Sequence, residues 1–587
     1  MNGRPADPDD GTSRRSVLAG ATAGLAATAG CLRRVRSAAN RDRLSKLSLS
    51  IVTLPADGDR QAVRIARRLA AALEAVGIGA SIEFRSNEEF LRTVLINGDF
   101  DCYVGVHPGG TDPAYLYETL HSRYAAEAGW QNPFGYADVD LDERLERARL
   151  AEGADRRAAV GDVLETVARE QPFVPLCAPD EVRLARADRY DGWGEDHPAS
   201  RLGYLGLDPT ADGAAADLHA TVMDPRPSQN VNPLAAEYRN RGTIVDLLYD
   251  SLATDDGGDL VPWLAADWEW DGRSATVTLR EDLRFHDGEP LTAADVAFTY
   301  RFLEDTSLGR ADVGAPAPIY RGAAEAVERV EVHDDRACTL HVTASHEVGE
   351  RAFTVPILPK HVWAERADPA TVPGVEIAAG TTEAVVVDNV PAVGSGPYRF
   401  AGRAERDHLA LRRYDDHFTL RPAVDLPEPT VEELRFLIDP RSTSAIERIE
   451  SGEADFTATP LEAYTIESVP EAPELTLIES PSPTFYHVGF NVRVDPLGNP
   501  YFRRAVARLL DKAWLAETVF EGYATPIATP LDATAGGEWV PEGLAWDGRD
   551  PEVPFFGTDG DLDVGAARAA FENAGFVYDG DELVVRE

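Results

Sequence analysis

The stretch that most constrains this chain is 263–302, WLAADWEWDGRSATVTLREDLRFHDGEPLTAADVAFTYRF. From Ala275 onward Thr276, Val277, Thr278 and Leu279 alternate between polar and apolar, the period of a half-buried strand. The Asp271-Gly272 dipeptide before them supplies a turn, so the sequence predicts a hairpin. A second pair, Asp287-Gly288, marks another turn. Thr292 then stands as an N-cap before Ala293, Ala294, Val296 and Phe298, which are apolar at helical spacing. The spacing predicts a helix from about residue 293. Local physics stops at hairpin, turn and helix.

The residues themselves resemble the hallmark of the family 5 extracellular solute-binding proteins, the peptide, nickel and oligosaccharide receptors of ABC importers. Leu264, Ala265, Trp268, Glu269, Thr276, Leu279, Arg280, Phe285, His286, Asp287, Gly288, Pro290, Thr292, Ala293, Asp295 and Val296 fill that pattern in order. The resemblance implies an α/β, periplasmic-binding-protein type II-like, two-lobed fold with an extra subdomain. It also implies a receptor that closes over a small solute without chemistry or cofactor.

A chain of 587 residues exceeds one hydrophobic core, so two or three domains are expected. The formal net charge is −43, which excludes nucleic acid as a natural partner. The acids are spread without a run, and only three of the basic residues are lysines: Lys46, Lys360 and Lys512. Such self-repulsion is tolerable where salt is molar and the screening length falls to about 3 Å. A halophile's protein, and a haloarchaeal one, is therefore expected.

At the amino end, Ser13-Arg14-Arg15-Ser16-Val17-Leu18 opens a mildly apolar stretch ending at Ala29-Gly30-Cys31. This resembles a twin-arginine lipoprotein signal over 1–31, with Cys31 as the lipidated residue and 32–44 as a flexible tether. The expectation is a lipid-anchored, monomeric protein on the outer face of the membrane. The other cysteines, Cys102, Cys177 and Cys338, lie far apart with no CxxC or CxxH, so no metal site is indicated. Cys102 and Cys177 read as core residues, with their pairing left open.

Taken in order, 46–54 reads as a strand, 60–76 as a helix with Val63, Ile65, Leu69 and Leu73 on one face, and 80–84 as a second strand. A helix over 88–97, a buried strand over 100–106, a loop from His107 to Pro113, a long helix over 141–170 and a strand over 173–177 follow. This order resembles the last third of a family 5 protein, yet it stands first. What resembles the family's beginning starts near Asp217, and the chain closes on a helix over 563–575 and a strand over 582–585. The reading is a circular permutant joined through a small-residue linker at 210–216. The Val585 end and the Leu47 strand are then expected to be neighbours in one lobe. The expected division is 45–185 as the first part of the ligand-binding lobe, 186–260 as lobe I, 261–390 as the extra subdomain, 391–450 as the lobe I return and hinge, and 451–587 as the second part of the ligand-binding lobe.

Enzymatic signatures are scarce. His346-Glu347-Val348-Gly349-Glu350 lacks a second histidine, Gly394-Ser395-Gly396-Pro397 is a turn rather than a nucleophile elbow, and Asp559, Asp561 and Asp563 lack the remaining ligands of a calcium loop. The resemblance places the cleft wall on the loop after 100–106, on the GSGPY turn, on the FYHVGFN strand and on the beginning of the family fold. It nominates His107, Gly109, Asp112, Asn232, Tyr398, Tyr486 and Asn491 as ligand contacts. Tyr398 and Tyr486 read equally as core aromatics, and Asp112 before Pro113 reads equally as an Asx turn. Where peptide receptors of the family carry a tryptophan and an amine-anchoring acid, this loop has Val106 and Gly109. A buried ammonium without its carboxylate is costly, so a peptide-like ligand, a sugar and a metal chelate all remain open. The implied partner is an ABC permease. A transport-uncoupled ligand sensor is the alternative, and a secreted hydrolase a more distant one.

Overall fold

The computed structural model describes residues 44–210, 217–238, 242–371, 380–532 and 537–586. Cys31, the signal, nearly all of the tether and the 211–216 part of the linker lie outside the described residues. Two large sheets organise the rest. The first is six-stranded, in the order Ala524–Pro526, Phe173–Pro179, Phe485–Phe490, Cys102–His107, Ser48–Thr53 and Gly79–Phe84. Ser48–Thr53 runs parallel to both of its neighbours, the signature of the βαβ start. The helix that makes this crossover, Arg60–Ala75, buries Val63, Ile65, Leu69 and Leu73 on the sheet, is capped by Asp59 and ends before Gly77, whose φ is +86°. One apolar core fills each face of this sheet.

The second sheet is seven-stranded, in the order Tyr398–Ala404, His408–Arg413, Glu433–Ile438, Asp217–Val222, Phe456–Thr457, Glu181–Arg186 and Leu475–Ser480. Its core is continuous with that of a four-stranded sheet built on the expected hairpin, Ala265–Asp271 against Ser274–Leu279. The helix Ala293–Glu304 begins at Thr292, and Asp295 completes a capping box there. This is the α/β, two-lobed, periplasmic-binding-protein type II-like architecture with an extra subdomain.

Among the described residues two connections join the lobes. Phe173–Pro179 passes through Asp180 directly into Glu181–Arg186, and Leu475–Ser480 returns through 481–484 into Phe485–Phe490. The two runs pair with each other on both sides of the crossing: Glu181 opposite Ser480 in one sheet, and Cys177 opposite Tyr486 in the other. Sheet membership therefore moves the lobe boundaries from the expected 185 and 451 to 180 and 481–484.

In the first lobe Leu44, Ser45 and Lys46 pair antiparallel with Arg586, Val585 and Val584, and the Leu47 N–H donates to the Leu583 carbonyl at 2.9 Å. The expected single helix over 141–170 is two helices, Val139–Leu150 and Gly153–Glu170. Glu152 between them is extended, and Gly153 takes a φ of +55°. Cys102, Cys177 and Cys338 are buried free thiols, so Cys102 and Cys177 do not pair.

Candidate ligand site

A cavity of about 1020 Å³ lies between the lobes. It is walled by residues 108–118 of the first lobe, by 194–201 and 478–483 beside the crossing strands, and by 251–257, 319–326 and 348–354 of the second lobe and its subdomain. The loop at 108–118 is fixed by its own sequence. Gly109 has a φ of +63°, and a Cβ there would fall inside contact with the Pro483 backbone, with the carbonyl carbon only 2.8 Å away. Only glycine lets the loop lie against the crossing segment. Asp112, 9% exposed, turns the loop by accepting the Ala114 N–H at 2.8 Å, the expected Asx turn.

The same carboxylate is the hub of an ion network. Arg156 Nη2 lies 2.5 Å from Asp112 Oδ1, and Arg351 Nε lies 3.4 Å from Oδ2. Arg351 reaches on to Asp255 at 3.3 Å, and Thr111 Oγ1 donates to Asp255 at 2.9 Å. Burial pushes the Asp255 carboxyl up, against the hydrogen bonds and Arg351. Further along, Gly153 N–H donates to Glu347 at 2.8 Å, Gly322 N–H donates to Glu118 at 2.6 Å, and Tyr124 Oη donates to Glu325 at 2.9 Å. Each of these contacts except Asp112–Arg156 and Arg351–Asp255 joins the first lobe to the second lobe or its subdomain. The cavity is thus bordered by a belt of polar links that holds the lobes together.

Of the nominated residues, Gly109 and Asp112 are in the cavity wall. His107 sits behind it, 2% exposed, stacked on Phe485 at 5.0 Å between centroids, with Nδ1 accepting the Gly109 N–H. Burial holds its imidazole down at about 3, so it is neutral. Asn232, Tyr398, Tyr486 and Asn491 are not among the wall residues. The Asn232 amide donates to the Ala384 and Val387 carbonyls at 2.7 and 2.8 Å, which exhausts its donors. Asn491 spends both of its donors on Gly98 and Phe100. Tyr398 is fully buried in the seven-stranded sheet, and Tyr486 donates to Asp59 at 3.2 Å. The GSGPY turn packs instead against the backbone of Leu247 and Leu248. Sequence reasoning missed the walls at 194–201, 251–257 and 319–326. A signal existed in the turn-forming runs DGWGEDHP and TDDGGD, but only as turns.

Among the described residues no group of three or more His, Cys, Asp or Glu side chains could hold a metal ion, and no helix is long and apolar enough to cross a membrane.

Two crossing strands, two sheets and an interlobe cavity define the class: a clamshell α/β binding protein. The chain belongs to the bacterial extracellular solute-binding proteins, family 5, whose model matches residues 259–585. It is 27% identical over 261 residues to the glutathione-binding protein GsiB of Pectobacterium atrosepticum, covering 44% of this chain and 45% of that one. It is 24% identical over 289 residues to the oligopeptide-binding protein AppA of Bacillus subtilis, covering 49% and 46%. The chain thus matches about half the length of these relatives. Among solved structures it is similar to that AppA in complex with a nonapeptide, at 18% identity and a TM-score of 0.45 over 63% of this chain and 66% of that one. A mannohexaose-bound periplasmic oligopeptide-binding protein of Thermotoga maritima gives 23% and 0.40 over 54% and 55%.

Proposed function

We propose that this protein is an extracellular solute-binding receptor that captures a small solute between its lobes and presents it to the permease of an ABC importer. The observation that carries the reading is the cavity, placed where two antiparallel strand crossings connect two separately cored lobes. Binding there couples occupancy to lobe closure, a shape a membrane partner can read. Mass spectrometry of molecules that co-purify, followed by thermal melting against a broad solute panel, tests it. A bound ligand raises the melting temperature by mass action, and a panel-wide absence of any shift overturns the reading. The alternative, a sensor uncoupled from transport, predicts binding without co-purification of a permease.

The anchor and route belong to the same proposal: export by the twin-arginine system, lipidation of Cys31 and work as a monomer in high salt. The circular permutation does as well. It is supported by the pairing of Leu44–Lys46 with Val584–Arg586, since strands hydrogen-bonded in this way need only a short loop to be joined. The half-length match to relatives is what a rotated order leaves to be aligned. A chain rebuilt to begin at Asp217, with Arg586 joined to Leu44, is expected to fold and to bind the same solute. Failure of that chain to fold argues against the rotation.

A further inference from the structure

The cavity changes character along its length. On the first-lobe side it runs in among three helices, Tyr115–Leu120, Val139–Leu150 and Gly153–Glu170. Arg156, Val160 and Val163 line it from the last of these, and Leu145, Ala148 and Arg149 from the middle one. Both sets have the spacing of a single helix face. Their charged members stand nearest the junction of the lobes, where Arg156 meets Asp112 and Glu347 and Arg149 meets Thr343. A turn or two farther in, the wall is built of Leu116, Leu145, Val160 and Val163, each at most 4% exposed. This arm of the cavity therefore grades from charged at its mouth to apolar at its depth.

Two further residues mark the mouth. Tyr320 lines the cavity at a φ of +63°, a left-handed backbone that a residue with a Cβ holds only at a cost. It stands two residues before Gly322, whose N–H meets Glu118 on the helix that carries Leu116. Strain of this kind is found where a wall is shaped for what it binds. Trp130 lines the same cavity, and its indole N–H has no hydrogen-bond partner among the described residues. The two aromatic residues are brought together across the lobes because Gly129 packs on the Pro318 carbonyl. Deeper in, the apolar wall offers water no partner, whereas an apolar group there makes the contacts of a close-packed interior.

We infer that this arm takes an apolar side group, a short alkyl chain or a single ring, of a solute whose polar part lies between the lobes at Trp130 and Tyr320. The inference rests on the reading of the cavity as the solute site and narrows it to amphipathic solutes. A sugar with hydroxyls on every face does not suit the arm.

The test uses fragments that need no head group: butanol, hexanol and indole, titrated by NMR and followed by thermal melting in molar KCl. Hexanol is expected to bind about tenfold more tightly than butanol, since each buried methylene is worth roughly a factor of four. Val163→Phe fills the arm. It is expected to hold or raise the melting temperature of the free protein and to weaken hexanol binding about tenfold or more. Val167→Phe is the control, one turn along the same helix, in the core but off the cavity wall. It is expected to lower the melting temperature, because overpacking a filled core destabilises. Melting of Val163→Phe as low as that of Val167→Phe overturns the arm, and hexanol binding untouched by Val163→Phe overturns the site. The co-purifying solute is expected to carry an apolar group and to lose affinity for Val163→Phe. A wholly polar solute such as maltose, bound equally well by parent and Val163→Phe, overturns the inference and leaves the receptor reading standing. Absence of binding by every solute in the broader panel removes both.

Discussion

Gly322 offers a clean way to pry the lobes apart. Its N–H donates to Glu118 across the cavity rim at 2.6 Å, and a Cβ placed on it would overlap the Glu118 carboxylate oxygen and stand 2.9 Å from Glu118 Cβ. The backbone of Gly322 is helical, within Arg321–Ala326, so Gly322→Ala adds no backbone strain. It gains about 0.8–1 kcal/mol of helix propensity, and that gain is the same whether the lobes are open or closed. The methyl therefore acts only where the lobes meet. The carboxylate must swing aside and lose a charge-assisted hydrogen bond, worth about 1.5–3 kcal/mol. Glu118 is partly exposed, so the lower end applies, and the ratio of closed to open lobes should fall about tenfold. Small-angle scattering of the ligand-free variant should show a larger radius of gyration than the parent. Affinity for the co-purifying solute should fall by a similar factor while urea stability is held or raised. Scattering and affinity both unchanged would refute the claim that this belt governs closure.

Three further outcomes follow from the same geometry. Gly109→Ala should destabilise the protein by about 2 kcal/mol or more in urea unfolding, because it combines a left-handed backbone, itself about 1–2 kcal/mol, with overlap on the Pro483 backbone; an unchanged midpoint would contradict the loop packing. Burial raises the Asp59 carboxyl from 3.8 to about 6, so its charge costs stability above pH 6 and the cost disappears as pH falls through 6 toward 3.8; Asp59→Asn, which can still cap its helix, should be more stable than the parent by about 1 kcal/mol at pH 8 and equal to it near pH 4. Melting temperature should climb steeply from dilute buffer to molar KCl, as screening quiets a net charge of −43, and equal melting in both would remove the argument from self-repulsion.

What the sequence made legible is local. Thr292 announced its helix because an N-cap hydroxyl before apolar residues at helical spacing has few other uses, and the Asp271-Gly272 turn set the register of its hairpin. The break at Glu152 was hidden because apolar residues continue on both sides, Leu145 before it and Val160 and Leu164 after. The lobe boundary was hidden for a related reason: from Phe173 to Arg186 the chain is a strand interrupted by one residue, and strand propensity does not say which sheet a strand joins. Asn232 and Asn491 were nominated as ligand contacts by the family resemblance, which says where a segment stands but not how its amide is spent. Their donors turned out to be spent on backbone carbonyls, which only the tertiary structure decides. The wall at 194–201, 251–257 and 319–326 is assembled from segments far apart in the chain and carries no local mark beyond its turns.

The paired crossings leave little room for ambiguity in how the two halves can travel. Two points of attachment lying side by side define a line, and Pro179, Pro481 and Pro483 stiffen the chain at that line by fixing one dihedral each. Rotation about it is left as the soft degree of freedom, while twisting or sliding would have to shear the two short crossings, Asp180 and 481–484, against each other. A molecule pinned in this manner swings like a door on two hinge pins, so a solute at the jamb is felt at the far edge as a displacement of fixed direction.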